Sequence, residues 1–195
     1  HHFGFEGDKP KFAIVQTGVE ALTDYGKLEL RRYVEPHPFV PQGDKEALGE
    51  RCREILATQV AGLVTRLDHI RCRRAVIGIS GGLDSTLALL VTVLAFDKLG
   101  IPRENILSVT MPGFGTTGRT YNNACTLCRE LGTELREISI VPAVREHFAN
   151  LGHDENIHDL TYENSQARER TQILMDLAGK VGGIVIGTGD LSELA

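Results

Sequence analysis

The sequence predicts an α/β fold in which a doubly wound parallel sheet carries helices on both faces. Two observations support this prediction: short apolar stretches alternate with helical patterns from residue 74 onward, and no tight hairpin turn joins two of these stretches. Strands in this order are connected by right-handed crossovers, and the resulting parallel sheet is buried on both faces. The 195 residues, 42% of them hydrophobic and 24% charged, suffice for one substantial globular domain.

The predicted elements follow from apolar periodicity and from the residues that end each pattern. Asp44 is the predicted N-cap of a long helix that reaches about residue 70, along which Leu48, Ile55 and Leu63 recur at helical spacing. The predicted strands of the sheet span residues 75–79, 105–110, 134–140 and 183–186. The further predicted helices span residues 85–99, 119–131, 143–150 and 162–178.

Residues 1–43 differ in pattern from residues 44–195, which we expect to form the main domain. Two stretches, residues 11–20 and 27–36, read as short strands joined by a turn, and three prolines then fall within ten residues. Prolines at this density stiffen a linker and stop either neighbouring element from continuing. We therefore expect residues 1–43 to be an N-terminal extension or linker, which includes the end of an upstream domain.

The composition argues against several classes of function. A net charge of −5 is atypical of a nucleic-acid-binding protein, and no apolar run approaches the roughly 18 residues that suggest a transmembrane helix. Four cysteines are few for a chain of 195 residues, and a low cysteine content is typical of proteins in a reducing cytoplasm, which is the location we expect. Cys125 and Cys128 form a C-x-x-C pair, but a zinc site needs a second pair of ligands. We therefore expect neither nucleic acid nor membrane as a partner.

Three loops follow predicted strands, at residues 80–85, 111–117 and 187–193. In an open parallel sheet the carboxyl ends of the strands lie along one edge, and ligands bind there. Because the three loops meet at this edge, their polar residues are the candidates for a functional site.

The loop at residues 80–85, SGGLDS, has the features of a phosphate-binding loop. Gly81 and Gly82 let backbone N–H groups approach an anion, and the following helix contributes free N–H groups and its positive dipole end. Ser80 and Ser85 add hydroxyl donors. Asp84 would repel phosphate unless a divalent cation bridges the two. A purely structural turn, with Asp84 or Ser85 as the N-cap, is the alternative.

The same six residues resemble the pyrophosphate loop of the ATP-pyrophosphatase superfamily of adenylating enzymes, which includes GMP synthetases, tRNA-modifying ligases and NAD synthetases. Two later segments, YENSQARERTQILMDLA (residues 162–178) and GTGDLSELA (residues 187–195), resemble NAD synthetases in particular. The segment MPGFGTTGRTYNNA (residues 111–124) resembles the glutamine-dependent, two-domain kind. The resemblance covers residues 39–195.

The resemblance implies a Rossmann-like, adenine nucleotide alpha-hydrolase-like fold and an ATP-dependent amidation of deamido-NAD to NAD. ATP adenylates the substrate with release of pyrophosphate, and ammonia then displaces AMP. The resemblance further implies a homodimer or higher homo-oligomer and, in the full-length protein, a glutaminase domain from which the ammonia comes.

The resemblance also implies roles for individual residues. The expected catalytic residues are Ser80, Asp84 and Ser85. The expected Mg²⁺ ligands are Asp84 and Glu193. The expected contacts to deamido-NAD, made partly across a dimer interface, are Asn164, Arg168 and Glu193. The expected contacts to ATP are Gly78, Ile79, Ser80, Gly81, Gly82, Leu83, Asp84, Ser85, Met111 and Thr188.

Other interpretations stay open at this point. Asp190 and Glu193 have the spacing of a capping box, so Glu193 can instead hold a helix start. Arg168 and Arg170 can pair with Glu163 or Glu169 on a solvated face, while the stem of Arg170 belongs to the apolar face of its helix.

Three further expectations concern a loop, the extent of the chain and its alternative functions. The polar loop rich in His and Asp before residue 160 is expected to be mobile, in the manner of a lid over the substrate. The chain is expected to be C-terminally truncated. The alternatives to NAD synthesis are another adenylating ligase, of the GMP synthetase or tRNA-modifying type, and a nucleotide-binding fragment without activity.

Overall fold

The computed structural model describes residues 32–34, 36, 37, 40, 43–115 and 118–189. The chain divides into two units, His1–Val40 and Pro41–Ala195, and the second contains the sheet and its helices. The strand predicted at residues 11–20 lies outside the described residues, as do Asp190 and Glu193. Of the strand predicted at residues 27–36, residues 32–34 and 36 are described and are not in a strand, so the prediction is wrong for this part.

A four-stranded parallel sheet forms the centre of the domain. Its strands are β1 (Ala75–Gly78), β2 (Ile106–Thr110), β3 (Glu134–Glu137) and β4 (Ile184–Ile186), arranged in the order β3-β2-β1-β4. Val76 of β1 lies opposite Leu107 of β2 and Val185 of β4. The predicted parallel sheet is confirmed, with β1 in its interior.

Five α-helices accompany the strands in the described part of the chain: α1 (Lys45–His69), α2 (Leu83–Lys98), α3 (Gly118–Leu131), α4 (Val141–Leu151) and α5 (Leu160–Val181). The predicted N-cap of α1 is confirmed, since the Asp44 carboxylate accepts the backbone N–H groups of Glu46 and Ala47 at 3.0 and 2.9 Å. A 3₁₀ turn, Arg103–Asn105, precedes β2. Gly152 and Gly182 end α4 and α5 with positive φ, a conformation that glycine adopts without strain.

Side chains alternate between the two faces of the sheet, as the pleat of a strand requires. From β1, Ala75 and Ile77 pack with α1, α2 and α3 in one core, whereas Val76 packs with α4 and α5 in the other. The second core includes Phe148 of α4 and Tyr162 of α5. Helices therefore cover both faces, as predicted for a doubly wound sheet.

Strand β3 is shorter than predicted, because it ends at Glu137 and not at residue 140. The backbone N–H groups of Ile138 and Ile140 still donate to carbonyls of Thr110 and Pro112, at 3.0 and 3.1 Å. Proline has no N–H to return the bond, so the ladder cannot continue beside Pro112. Ile140 is already the N-cap residue of α4.

Among the described residues, no helix combines the length and the apolar composition that crossing a membrane would need.

Candidate functional site: a cleft at the carboxyl edge of the sheet

A cleft opens at the carboxyl edge of the sheet, beside the point where the strand order reverses between β1 and β4. Ligands of open α/β sheets bind in the crevice that such a reversal leaves. The cleft has a volume of about 760 Å³, within the range of small-molecule sites. It is lined by the loops after β1 and β2, the first turn of α3, part of α5, and Thr188 after β4. The structure thus brings together parts of the three loops singled out in the sequence.

Two serine hydroxyls close the loop between β1 and α2. The Oγ of Ser85, which is 4% exposed, accepts the backbone N–H of Ser80 at 3.3 Å and donates to the carbonyl of Gly82 at 3.2 Å. The two serine Oγ atoms lie 3.1 Å apart, and the Ser80 hydroxyl accepts the N–H of Gly82 at 3.2 Å. Because each hydroxyl joins two parts of the loop, this network fixes the loop conformation without a ligand.

Helix α2 begins without a side-chain cap. Its N-cap residue is Gly82, and neither Asp84 nor Ser85 accepts a hydrogen bond as the cap. The alternative in which one of these two side chains serves as the N-cap is therefore wrong. The first-turn N–H groups, those of Leu83, Asp84 and Ser85, have no acceptor within the helix. Together with the positive end of the helix dipole, they favour an anion such as phosphate.

Gly81 brings the loop into direct contact with α3. Its φ is +81°, in the left-handed region, and a Cβ at this position would overlap the carbonyl oxygen of Thr120. The neighbouring atoms are backbone and cannot move aside as a flexible side chain does. The close approach of the loop to the first turn of α3 therefore requires glycine at this position.

Asp84 lies exposed on the first turn of α2 and lines the cleft. Its carboxylate makes no hydrogen bond or ion pair with any residue in the described part of the chain. A carboxylate without a protein partner, beside N–H groups that favour an anion, matches the oxygen donor that a cation bridging to phosphate requires. The residues present therefore fit a magnesium ion, which Asp84 would help to hold.

Helix α5 contributes Arg170 to the cleft, with its Nε donating to the carbonyl of Met111 at 3.3 Å. Burial lowers the pKa of this guanidinium, which still stays charged at neutral pH. The alternative in which Arg170 pairs with Glu163 or Glu169 is wrong, since no described residue forms an ion pair with it. A desolvated cation with unused donors in a cleft is suited to an anionic ligand group.

Tyr121, on the first turn of α3, also lines the cleft. Its hydroxyl donates to Oε2 of Glu137 at 2.5 Å, and this hydrogen bond raises the pKa of the phenol. The hydroxyl therefore keeps its proton at neutral pH and is committed as a donor to Glu137. Its oxygen can still accept a hydrogen bond from a ligand.

Comparison with known proteins identifies the family. A family model described as NAD synthase matches residues 55–195, which is most of the chain. The chain belongs to the NAD synthase family. It is 47% identical over 174 residues to a glutamine-dependent NAD(+) synthetase of Mycobacterium tuberculosis, covering 87% of this chain and 26% of that protein. It is 42% identical over 176 residues to one of Xanthomonas campestris, covering 89% and 30%. The chain thus spans little more than a quarter of the length of these curated relatives.

Solved structures agree with this assignment. The glutamine-dependent NAD+ synthetase of Acinetobacter baumannii, in complex with adenosine diphosphate, superposes with a TM-score of 0.66 at 31% identity, over 72% of this chain and 26% of that one. The NMN synthetase of Francisella tularensis superposes with a TM-score of 0.60 at 30% identity, over 72% and 56%. The NH3-dependent NAD synthetase of Campylobacter jejuni gives 0.61 at 27% identity, over 73% and 58%. The predicted adenine nucleotide alpha-hydrolase-like fold is therefore confirmed.

In this NAD synthase domain, most of the residues expected to contact ATP line the cleft. Those that do are Gly78, Ile79, Ser80, Gly82, Asp84, Ser85, Met111 and Thr188. Gly81 packs against α3, and Leu83 is 82% exposed and lies outside the cleft lining. Asn164, partly exposed, and Arg168, exposed, also lie outside the cleft lining. Glu193 is not among the described residues, so its roles stay predictions.

Sequence reasoning did not select Tyr121, Gln166 or Arg170 of the NAD synthase cleft as site residues. The apolar pattern of α5 could have identified Arg170 as a cleft residue, because this pattern places the aliphatic stem of Arg170 on the buried face. A guanidinium carried by that stem reaches the edge of the buried face, which is where a cleft begins. The apolar spacing of residues 162–178 also predicts that Ala167 lies on the buried face of α5, and this prediction is wrong, since Ala167 is exposed.

The cysteines and histidines of the NAD synthase domain form no metal centre in its described part. All four cysteines are free, and Cys128, on α3, is buried in the core. In the polar loop before α5, the ring of His153 packs on Phe148 at 4.9 Å between centroids. The Asp159 side chain caps α5 through the N–H of Tyr162 at 3.0 Å. The loop expected to act as a mobile lid is thus attached to α4 and α5 and does not line the cleft.

Proposed function

We propose that this domain catalyses the ATP-dependent amidation of deamido-NAD to NAD, with release of AMP and pyrophosphate. The observation that carries the proposal is the cleft beside the serine-closed loop at residues 80–85, in a chain of the NAD synthase family. Its relatives are named NAD synthetases, both glutamine-dependent and NH3-dependent. The nitrogen donor is ammonia, which a glutaminase domain of the whole protein would release from glutamine.

The reaction needs two steps because a carboxylate is a poor electrophile. A nicotinate carboxylate oxygen attacks the α-phosphorus of ATP, and the bond from that phosphorus to the β-phosphate oxygen breaks, which releases pyrophosphate. Ammonia then attacks the carboxyl carbon of the adenylate, and AMP leaves as the amide forms with loss of a proton. Negative charge accumulates on the leaving pyrophosphate, so donors placed at that position lower the barrier.

The loop at residues 80–85 supplies those donors. The free donors are the first-turn N–H groups of α2. The hydroxyl protons of Ser80 and Ser85 are used within the loop, and these hydrogen bonds hold the N–H groups in place, so little reorganisation accompanies binding. No covalent nucleophile is required. Ser80, Asp84 and Ser85 act by orienting the phosphates and balancing their charge.

Magnesium would be held by Asp84 and by Glu193, with phosphate oxygens completing its ligands. The exposed, unpartnered Asp84 carboxylate in the cleft supports this assignment. When bound, the ion neutralises phosphate charge and so assists departure of pyrophosphate. Thr188, which reaches the cleft from β4, and Met111, after β2, are proposed contacts to ATP.

The substrate dinucleotide is proposed to contact Asn164, Arg168 and Glu193. Asn164 and Arg168 lie outside the cleft lining of their own chain, and in this proposal they reach the dinucleotide partly across an interface with a second copy. We therefore propose a homodimer or higher homo-oligomer. A cytoplasmic location is proposed as well, and the four free cysteines support it. Residues 1–43 are proposed as an extension or linker before a catalytic domain at residues 44–195.

The test is an assay of AMP formation with ATP, Mg²⁺ and ammonium and three alternative acceptors: deamido-NAD, nicotinate mononucleotide and xanthosine monophosphate. We expect AMP and NAD to appear in equal amounts with deamido-NAD. The mononucleotide is included because a structural neighbour is an NMN synthetase. AMP formation that depends on either other acceptor, and not on deamido-NAD, would overturn the proposal. Nucleotide binding without turnover of any acceptor would favour a fragment without activity.

A further inference from the structure

Gln166 connects α5 to the loop that follows β2. Its side chain is 7% exposed, and both ends of its amide are used. Oε1 accepts the backbone N–H of Phe114 at 3.2 Å, and Nε2 donates to the carbonyl of Tyr162 at 3.3 Å. A buried amide that is paired at both ends holds its two partners at a fixed separation, because leaving either group unpaired is costly.

The loop at residues 111–114 approaches α5 closely at this point. A Cβ on Gly113 would overlap Oε1 of Gln166 and lie 2.8 Å from a guanidinium nitrogen of Arg170. One turn of helix separates these two side chains. The Nε of Arg170 donates to the Met111 carbonyl at 3.3 Å, at the start of the loop. Two side chains of α5 therefore hold the two ends of the loop.

Aromatic packing fixes the same loop from another side. The ring of Phe114 lies 5.8 Å from that of Tyr162 and 6.1 Å from that of Phe148, measured between centroids. Tyr162 is one turn before Gln166 on α5. The position of the loop is therefore set by α5 through both polar and apolar contacts.

We propose that Gln166 is a positioning residue that couples ATP binding to dinucleotide binding. It holds residues 111–114 in the conformation that receives ATP, and it belongs to the helix whose other residues are proposed to contact the dinucleotide. Because these contacts tie the loop to α5, a ligand that holds α5 in place also holds the loop in place, and the two substrates then change each other's affinity by the same factor. This inference rests on the proposed function for the identity of the two substrates.

Two variants separate the two hydrogen bonds of Gln166. Gln166→Met keeps a similar volume and removes both bonds, whereas Gln166→Glu keeps an acceptor for the Phe114 N–H and loses the donor to Tyr162. Gln59→Met makes the same chemical change on an exposed position of α1 and serves as the control. Circular dichroism and thermal unfolding would establish that each variant is folded.

The first measurement is amide hydrogen exchange of residues 111–115 in the protein without ligands. We expect Gln166→Met to accelerate exchange of the Phe114 amide about tenfold or more, because that amide loses its acceptor. Gln166→Glu is expected to stay within a few-fold of the native rate, and Gln59→Met to match it. If the Phe114 amide exchanges in Gln166→Met at the same rate as in the native protein, the positioning role is overturned, whatever the reaction proves to be.

The second measurement is calorimetric affinity for a non-hydrolysable ATP analogue with Mg²⁺, with and without deamido-NAD. We expect deamido-NAD to tighten analogue binding in the native chain. In Gln166→Met we expect the analogue to bind about tenfold more weakly and deamido-NAD to have little effect on its affinity. Gln166→Glu is expected to restore most of the affinity and most of the effect of deamido-NAD. A purely structural weakening would leave the tightening factor unchanged and would overturn the coupling. Absence of analogue binding to the native chain would refute the proposed function instead, and the exchange result would still decide the role of Gln166.

Discussion

Replacement of Gly81 by alanine tests the geometry of the loop that carries the proposed function. Gly81 has a φ of +81°, and left-handed backbone costs an L residue about 1–2 kcal/mol. The added Cβ would also overlap the Thr120 carbonyl and lie 2.8 and 3.2 Å from Thr120 C and Cα. Forcing an extra methyl against packed backbone costs about 1–3 kcal/mol. We therefore expect Gly81→Ala to lower the free energy of unfolding by about 2–5 kcal/mol.

Gly100→Ala provides the matched control. Gly100 has a φ of +63°, and apart from the residue itself and its two chain neighbours nothing lies within 4 Å of the position that an added Cβ would occupy, so only the backbone cost of about 1–2 kcal/mol applies. Chemical denaturation would give both values, and calorimetry with an ATP analogue would give the affinity of each folded variant. We expect Gly81→Ala to lose most of its affinity and Gly100→Ala to keep it. Equal losses of stability in the two variants, with native affinity in both, would refute the close approach of the loop to α3.

Three further predictions concern single side chains. Asp84→Asn is expected to leave the free energy of unfolding within about 0.5 kcal/mol of native, because the carboxylate is exposed and unpartnered, while abolishing AMP formation; a large loss of stability on denaturation would contradict this. Ser85→Ala removes the acceptor of the Ser80 N–H and is expected to cost about 1–3 kcal/mol in the same experiment, whereas an unchanged stability would show that the hydroxyl network is not formed. Hydrogen bonding to Arg103 lowers the pKa of Asp97, so this carboxylate stabilises the fold above its ordinary pKa of 3.8 and loses that contribution as the pH falls through the lowered value. Asp97→Asn is therefore expected to cost at most about 1 kcal/mol at pH 7, since both side chains are near 40% exposed, with a difference from native that shrinks in acid; a difference that grows in acid would contradict the assignment.

Local patterns were sufficient to predict most elements of the fold. The spacing of apolar residues and the side chain of Asp44 placed α1 correctly, and the order of strands and helices predicted the parallel sheet. The end of β3 was not predictable in the same way. It depends on Pro112, which lies beside β3 in space and 25 residues before Glu137 in sequence (137 − 112).

The candidate site was predictable where its chemistry lies within one short segment. The loop at residues 80–85 combines glycines, hydroxyls and a helix start, so its placement at the sheet edge followed from sequence. The choice between Gly82 and Asp84 as the N-cap did not follow from the sequence, because acidic residues favour both the N-cap position and the first turn of a helix. The contact between Gln166 and Phe114 joins residues 52 apart, and only tertiary packing reveals it.

The central claim is that the loop at residues 80–85 binds the phosphates of ATP. A crystal structure of the domain with Mg²⁺ and a non-hydrolysable ATP analogue tests it most directly. We predict phosphate oxygens within hydrogen-bond distance of the first-turn N–H groups of α2, with the metal ion on Asp84. A second cavity, of about 450 Å³, lies at the amino ends of the strands and is lined by His69, Arg71 and Arg73. Triphosphate bound there, with the loop at residues 80–85 free of phosphate, would contradict the account.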